Sequence, residues 1–141
     1  YERVNRMVQK IGLQETILQR KMMDVKSMKE GRDNLTSARD MARLLKDLYQ
    51  GEYLGKEKSL QGLDIMKRCR DTKLLQRYLP APPPFAHKTG GLDDVSHDVG
   101  IFFGQQHYLI SALVTNQGEG EQDKRRTSTL GHLGRWIYEE N

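Results

Sequence analysis

All four prolines of this chain fall between Pro80 and Pro84. A proline fixes its own φ and has no N–H to donate, so neither a helix nor a central strand runs through that stretch. The hydrophobic period changes across it. Upstream, apolar residues recur at helical spacing. Val4, Met7, Val8 and Ile11 mark a core-facing helix over 1–11, ended by Gly12. Met41, Leu44, Leu45 and Leu48 mark a second helix that starts at Thr36 or Ser37 and stops at Gly51. Ser37-x-x-Asp40 resembles a capping box, with Asp in place of the usual Glu or Gln. Gly55 opens a third helix over 56–69, with Leu60, Leu63, Met66 and Cys69 on one face, and Asp71 is placed to cap a short helix over 72–78. Residues 13–35 read as a long loop with one extended piece near 16–18.

Downstream of the prolines the pattern is that of strands: 85–89, then 98–103, a tight turn at Gly104-Gln105-Gln106, then 107–115. Gly90 and Gly91 are expected to begin a loop. The two later strands are almost continuously apolar, which predicts a sheet covered on both faces. A polar loop over 116–126 leads to a last helix capped by Thr127. Its Leu130, Leu133 and Ile137 face inward, and Gly131 and Gly134 allow close packing on the sheet. Helices, an antiparallel sheet and a closing helix make an α+β fold.

Composition narrows the function classes. The 141 residues suit one domain. No apolar run approaches the roughly 18 residues of a membrane-spanning helix. The single cysteine, Cys69, excludes an internal disulfide and a cysteine-rich zinc site, and reads as a small buried residue. His87, His97, His107 and His132 lack metal-ligand spacing, and the neighbours His97 and Asp98 point to opposite faces of a strand. No metal or cofactor is expected. A net charge of +4, with 23 basic and 19 acidic residues interspersed, does not demand nucleic acid. Lys124-Arg125-Arg126 reads as a solvated loop balanced by Glu119, Glu121 and Asp123. The chain opens on Tyr1-Glu2-Arg3-Val4 with a helix already under way, so a piece of something longer is expected.

The string that carries chemistry is Phe85-Ala86-His87-Lys88-Thr89-Gly90-Gly91, at the end of a strand and after a Leu-Pro stop. Lys-Thr-Gly in that position, Asn34-Leu35-Thr36-Ser37-Ala38-Arg39-Asp40-Met41, Leu74-Leu75-Gln76-Arg77-Tyr78-Leu79-Pro80, His97-Asp98-Val99-Gly100-Ile101 and Trp136-Ile137-Tyr138 together resemble the C-terminal half of a class A β-lactamase or related penicillin-binding serine hydrolase. The resemblance implies one incomplete domain: a helical part over 1–79 with an Ω-like loop over about 13–35, a proline-rich connector over 80–84, and a sheet with its closing helix over 85–141. It implies that Lys88 sets a cation beside the substrate carboxylate and the catalytic serines, that Thr89 donates its hydroxyl to that carboxylate, that Gly90 leaves the strand edge open for the ligand, and that the Gly91 N–H is one donor of an oxyanion hole. It also implies an Arg20–Asp33 ion pair at the neck of the Ω-like loop, and a secreted or cell-envelope setting.

The departures are as informative. The family's nucleophile begins a Ser-x-x-Lys and a second serine begins a Ser-x-Asn. None of Ser27, Ser37, Ser59, Ser96, Ser111 and Ser128 does either, so the chain alone is expected to be inactive. Met22 falls where the Ω-loop Glu belongs, with Asp24 and Glu30 as stand-in bases. The expectation is therefore the C-terminal portion of a serine β-lactamase-like hydrolase acting on β-lactams or acyl-D-Ala and ester substrates. Its partner would be an N-terminal half that pairs strands with the 107–115 edge, or a second copy. The competing expectation is a non-catalytic binding or structural module, possible as a dimer, that keeps half of the scaffold.

Overall fold

The computed structural model describes residues 1–115 and 122–140. Its elements are α1 (Glu2–Lys10), α2 (Val25–Lys29), α3 (Ala38–Gln50), α4 (Lys56–Met66), β1 (Phe85–Leu92), β2 (Val95–Phe103), β3 (His107–Thr115) and α5 (Gln122–Glu139). The strands form one antiparallel sheet in the order β1-β2-β3.

Strand alternation sorts the core onto two faces. Phe85, Phe102, Ile110 and Ala112 pack with Leu74, Leu75 and Leu130, which brings α5 over one face. Ala86 and Ile101 pack with Leu45 and Leu63, which brings α3 and α4 over the other. Both faces are covered, as the continuous apolar runs require. A third, smaller cluster of Val8, Ile11 and Leu13 with Met41 attaches α1 to α3. Val4 and Met7 are exposed, so the buried stripe of α1 is narrower than its periodicity suggests.

The helix limits follow capping chemistry. Ser37 accepts the Asp40 N–H and starts α3, and Gly51 ends it at φ 76°. The Asp40 carboxylate does not close a capping box. It turns outward to the preceding loop, where more donors wait. In the loop over 13–35 the extended piece is a single bridge between Ile17 and Leu35. Helix α2 is an unexpected turn of helix there, begun by the Asp24 side chain accepting the Ser27 N–H.

Four further expectations are corrected. Helix α4 ends at Met66, so Cys69 lies beyond it and is partly exposed, and Leu60 faces solvent. Residues 73–78 form turns rather than a helix, because the Leu75 N–H is given to Asp98 of β2 instead of to its own segment. Strand β1 runs on through Gly90 and Gly91, which pair with His97 and Ser96, and the turn is Asp93-Asp94. Helix α5 begins at Gln122. Thr127 is inside it, with its hydroxyl bonded to the Asp123 carbonyl, and the expected loop over 116–121 lies outside the described residues.

Gly131 and Gly134 face the 74–78 turn rather than the sheet. A Cβ on Gly134 would overlap the Leu75 backbone, and one on Gly131 would lie 2.7 Å from the Tyr78 ring. Gly134→Ala is expected to destabilise the fold by about 1–3 kcal/mol through overpacking. Gly62→Ala meets only the Leu48 Cδ1 at 3.5 Å in a helix interior, and should instead gain about 0.5–1 kcal/mol. Urea unfolding of the two variants checks the opposite signs.

Candidate active site

Strand β1 is an edge of the sheet, and no strand pairs with its outer side among the described residues. Alternation puts Lys88 and Gly90 on the α3/α4 face, and His87 and Thr89 on the α5 face. Lys88, Gly90 and Gly91 are exposed and Thr89 is half-buried. The Lys88 ammonium donates to the Thr89 carbonyl. Small, exposed residues at 90 and 91 leave the outer backbone of the strand open to a ligand.

Behind this edge the strand is fixed by buried polar groups. His87 Nδ1 lies 2.8 Å from Asp98 Oδ1, and both side chains are 1% exposed. Asp98 Oδ2 accepts the Leu75 N–H at 3.2 Å. The His87 ring stacks on Phe85, which stacks on Phe102. Gly100, opposite His87, has no room for a Cβ. His87 Nε2 is buried and has no partner among the described residues.

Arg126 reinforces the hairpin from α5. It is 2% exposed, donates through Nε to Ser96 Oγ at 3.1 Å and through Nη2 to the Asp93 carbonyl at 2.9 Å, and pairs with Asp123 at 3.4 Å. The basic run was expected in a solvated loop. Its helical spacing turns one of the three cations inward to the sheet.

The Ω-like loop is tied at two levels. Arg20 Nε lies 2.7 Å from Asp33 Oδ1, and Asn34 Oδ1 accepts the N–H groups of Gln19 and Arg20. Below that, the buried Asp40 accepts from the N–H groups of Gln14 and Glu15 and from the Thr16 hydroxyl, the last at 2.7 Å. Burial alone would raise the Asp40 carboxyl, but these hydrogen bonds together hold it below its ordinary value.

The loop holds no free acid at its exposed end. Asp24 is occupied by the Ser27 N–H and hydroxyl, and the Ser27 N–H first of all keeps its pKa low. Glu30 is paired with Arg32. Met22 and Met23 are 79% and 83% exposed, with Met23 in the left-handed region at φ 63°. No cluster of three or more His, Cys, Asp or Glu suited to a metal occurs among the described residues. His107 instead meets the Tyr49 hydroxyl at 2.7 Å, and His132 packs on Tyr78.

The family model of the β-lactamase enzyme family matches residues 1–140. The chain belongs to this family. Among solved structures it is similar to PBP-A, at 29% identity and a TM-score of 0.85 over 99% of this chain and 50% of that one. It is similar to a variant of PBP-A solved as an acyl-enzyme with penicillin G, at 28% identity and 0.84 over 99% and 50%. It is also similar to a β-lactamase from Chitinophaga pinensis, at 25% identity and 0.86 over 99% and 54%. The chain thus spans about half the length of the structures it matches. No curated protein matches it.

In this β-lactamase-family half, Lys88, Thr89, Gly90 and Gly91 share one strand, and Arg20 and Asp33 are in contact across the loop. Sequence reasoning missed Asp98 as the partner of His87 and missed Arg126. The signal for the first was the alternation of two strands in register. Asp98→Ala leaves His87 and the Leu75 N–H buried without a partner, and is expected to cost about 3–5 kcal/mol in urea unfolding. Because the Asp40 pKa is lowered, its contribution to stability is present in full above pH 3.8 and is lost as pH falls through the folded value. An Asp40→Asn variant should show a flatter stability profile over that acid range.

Proposed function

We propose that this chain is the C-terminal portion of a serine β-lactamase-like hydrolase that acts on β-lactams or related acyl-D-Ala and ester substrates through an acyl-enzyme. The observation that carries the reading is the Lys88-Thr89-Gly90-Gly91 segment on a sheet edge that is unpaired among the described residues, backed by the buried His87–Asp98 pair. Lys88 supplies a cation and Thr89 a hydroxyl to the substrate carboxylate. The Gly91 N–H donates to the oxyanion that forms as a serine attacks the carbonyl. The serines come from an upstream half. It pairs with the outer edge of β3 and fills the groove between α3 and β3, lined by Ala42, Tyr49, Ile101, His107 and Leu109.

The Ω-like loop argues for slow release of the acyl group. Water attack on an acyl-enzyme needs a base within hydrogen-bond reach. Met22 offers none, and Asp24 and Glu30 are engaged elsewhere. This favours a penicillin-binding hydrolase over an efficient β-lactamase. The absence of Ser-x-x-Lys and Ser-x-Asn from the chain's own serines favours a second reading, a non-catalytic module that keeps this scaffold.

Intact-mass analysis with benzylpenicillin separates the two. A longer form of the protein, or a co-purifying N-terminal fragment, is expected to gain the mass of one penicillin and lose it slowly. Lys88→Ala should slow adduct formation by about 10²-fold or more. Met22→Glu should speed adduct loss by roughly 10²-fold if a base at that position is what is lacking. A preparation that contains only the 16.3 kDa species and never gains mass supports the module.

A further inference from the structure

Strand β3 is the second edge of the sheet, and no strand pairs with its outer side among the described residues. The direction of its backbone groups follows from β2. The Phe103 N–H donates to the Pro84 carbonyl at 2.8 Å, on the β1 side. Backbone groups along a strand alternate between its two neighbours, so Phe102 turns its own to β3 and exchanges them with Tyr108. The β2–β3 register is unbroken from Phe103↔His107 to Val95↔Thr115. Tyr108, Ile110, Ala112 and Val114 therefore bond to β2. His107, Leu109, Ser111, Leu113 and Thr115 turn their N–H and C=O groups outward.

These outward residues are spaced symmetrically about Ser111. An antiparallel copy of β3 with its two-fold axis at Ser111 sets His107 against the partner's Thr115 and Leu109 against the partner's Leu113. Every outward group then meets an outward group, in about ten backbone hydrogen bonds. No other register of the strand on itself satisfies all of them. Tyr108 and Val114 on the α5 face, and Leu109 on the α3/α4 face, are only partly buried and gain cover from an added strand. The Ser111 hydroxyl is buried without a hydrogen-bond partner among the described residues, and this pairing sets the partner's Ser111 directly opposite it. Beside the edge, the groove between α3 and β3 carries both signs of charge, Arg43 and Lys46 next to Asp47. A self-complementary contact can therefore set charge against its opposite.

We propose that in the 141-residue chain the outer edge of β3 binds a second copy of itself, two-fold about Ser111, so that two three-stranded sheets join into one. The inference goes beyond the reading of the chain as a hydrolase portion: it names what holds this edge where no upstream half does. The β1 edges, with Lys88, Gly90 and Gly91, lie at the two far ends of the joined sheet and stay open.

Light scattering of the purified chain, together with cysteine variants, tests this. The expected mass is twice 16.3 kDa at micromolar concentration. In a Cys69→Ser background, Ser111→Cys is expected to give a disulfide-linked dimer with oxidised glutathione, because facing residues of such a pair stand about 5.5 Å apart at Cα. Leu113→Cys in the same background is expected not to bridge, because its symmetry mate lies roughly 14 Å along the strand. Ser111→Pro removes an outward N–H without touching the ladder to β2, and should halve the mass. A monomeric chain, an open series of larger species, or bridging at 113 as readily as at 111 overturns the proposal. The two cysteine variants decide it even where the proline variant does not fold. Whether a longer form takes a penicillin adduct is read separately and bears on the hydrolase reading alone.

Discussion

A buried carboxylate joins three parts of this molecule. Asp98 receives His87 from β1 with one oxygen and the Leu75 N–H from the turn before the prolines with the other. A buried carboxyl group is tolerable only when it is hydrogen-bonded, so the three segments are bound to one another's positions. The turn that Asp98 holds is also the surface on which Gly131 and Gly134 let α5 approach. One carboxyl group thus links β1, β2 and the turn on which the closing helix packs. Lys88, next to His87, inherits the rigidity while keeping its own side chain in solvent.

The Ω-like loop solves a related problem with side-chain hydrogen bonds at its neck. Its irregular backbone cannot satisfy itself by a ladder, so Asp40, Asn34 and Asp33 take up its amides and its arginine. These bonds sit at the neck and leave the far end free to present Met22 and Met23. A left-handed methionine costs on the order of 1–3 kcal/mol and persists only where its surroundings over-determine it.

Much of the fold was legible because local signals agreed with tertiary demand. Ser37 and Gly51 bracket α3, and the Gly104 turn with an almost continuous apolar run fixes β3. The failures occur where a long-range partner outbids a local preference. Leu75 gives its N–H to a residue 23 positions away, so the helix pattern of 72–78 yields turns. Gly90 and Gly91 have poor strand propensity, yet the ladder with β2 extends through them. Arg126 looks like one member of a surface run until α5 starts early and rotates it inward. At the site, the Lys-Thr-Gly string can be read directly. The His87–Asp98 pair cannot, because its members are 11 residues apart and meet only once the register is known.

The two edges of the sheet differ in kind. The outer edge of β1 carries a lysine and two glycines, which discourage another strand from settling there. The nine residues of β3 include no lysine, proline, glycine or acid, and both sides of the strand are rich in β-branched and aliphatic groups. Such a segment is a template for cross-β association whenever it is left bare. Of the two edges, β3 is therefore the more prone to aggregation when it is exposed. A gatekeeper charge at Thr115 protects solubility without touching the Lys88 strand.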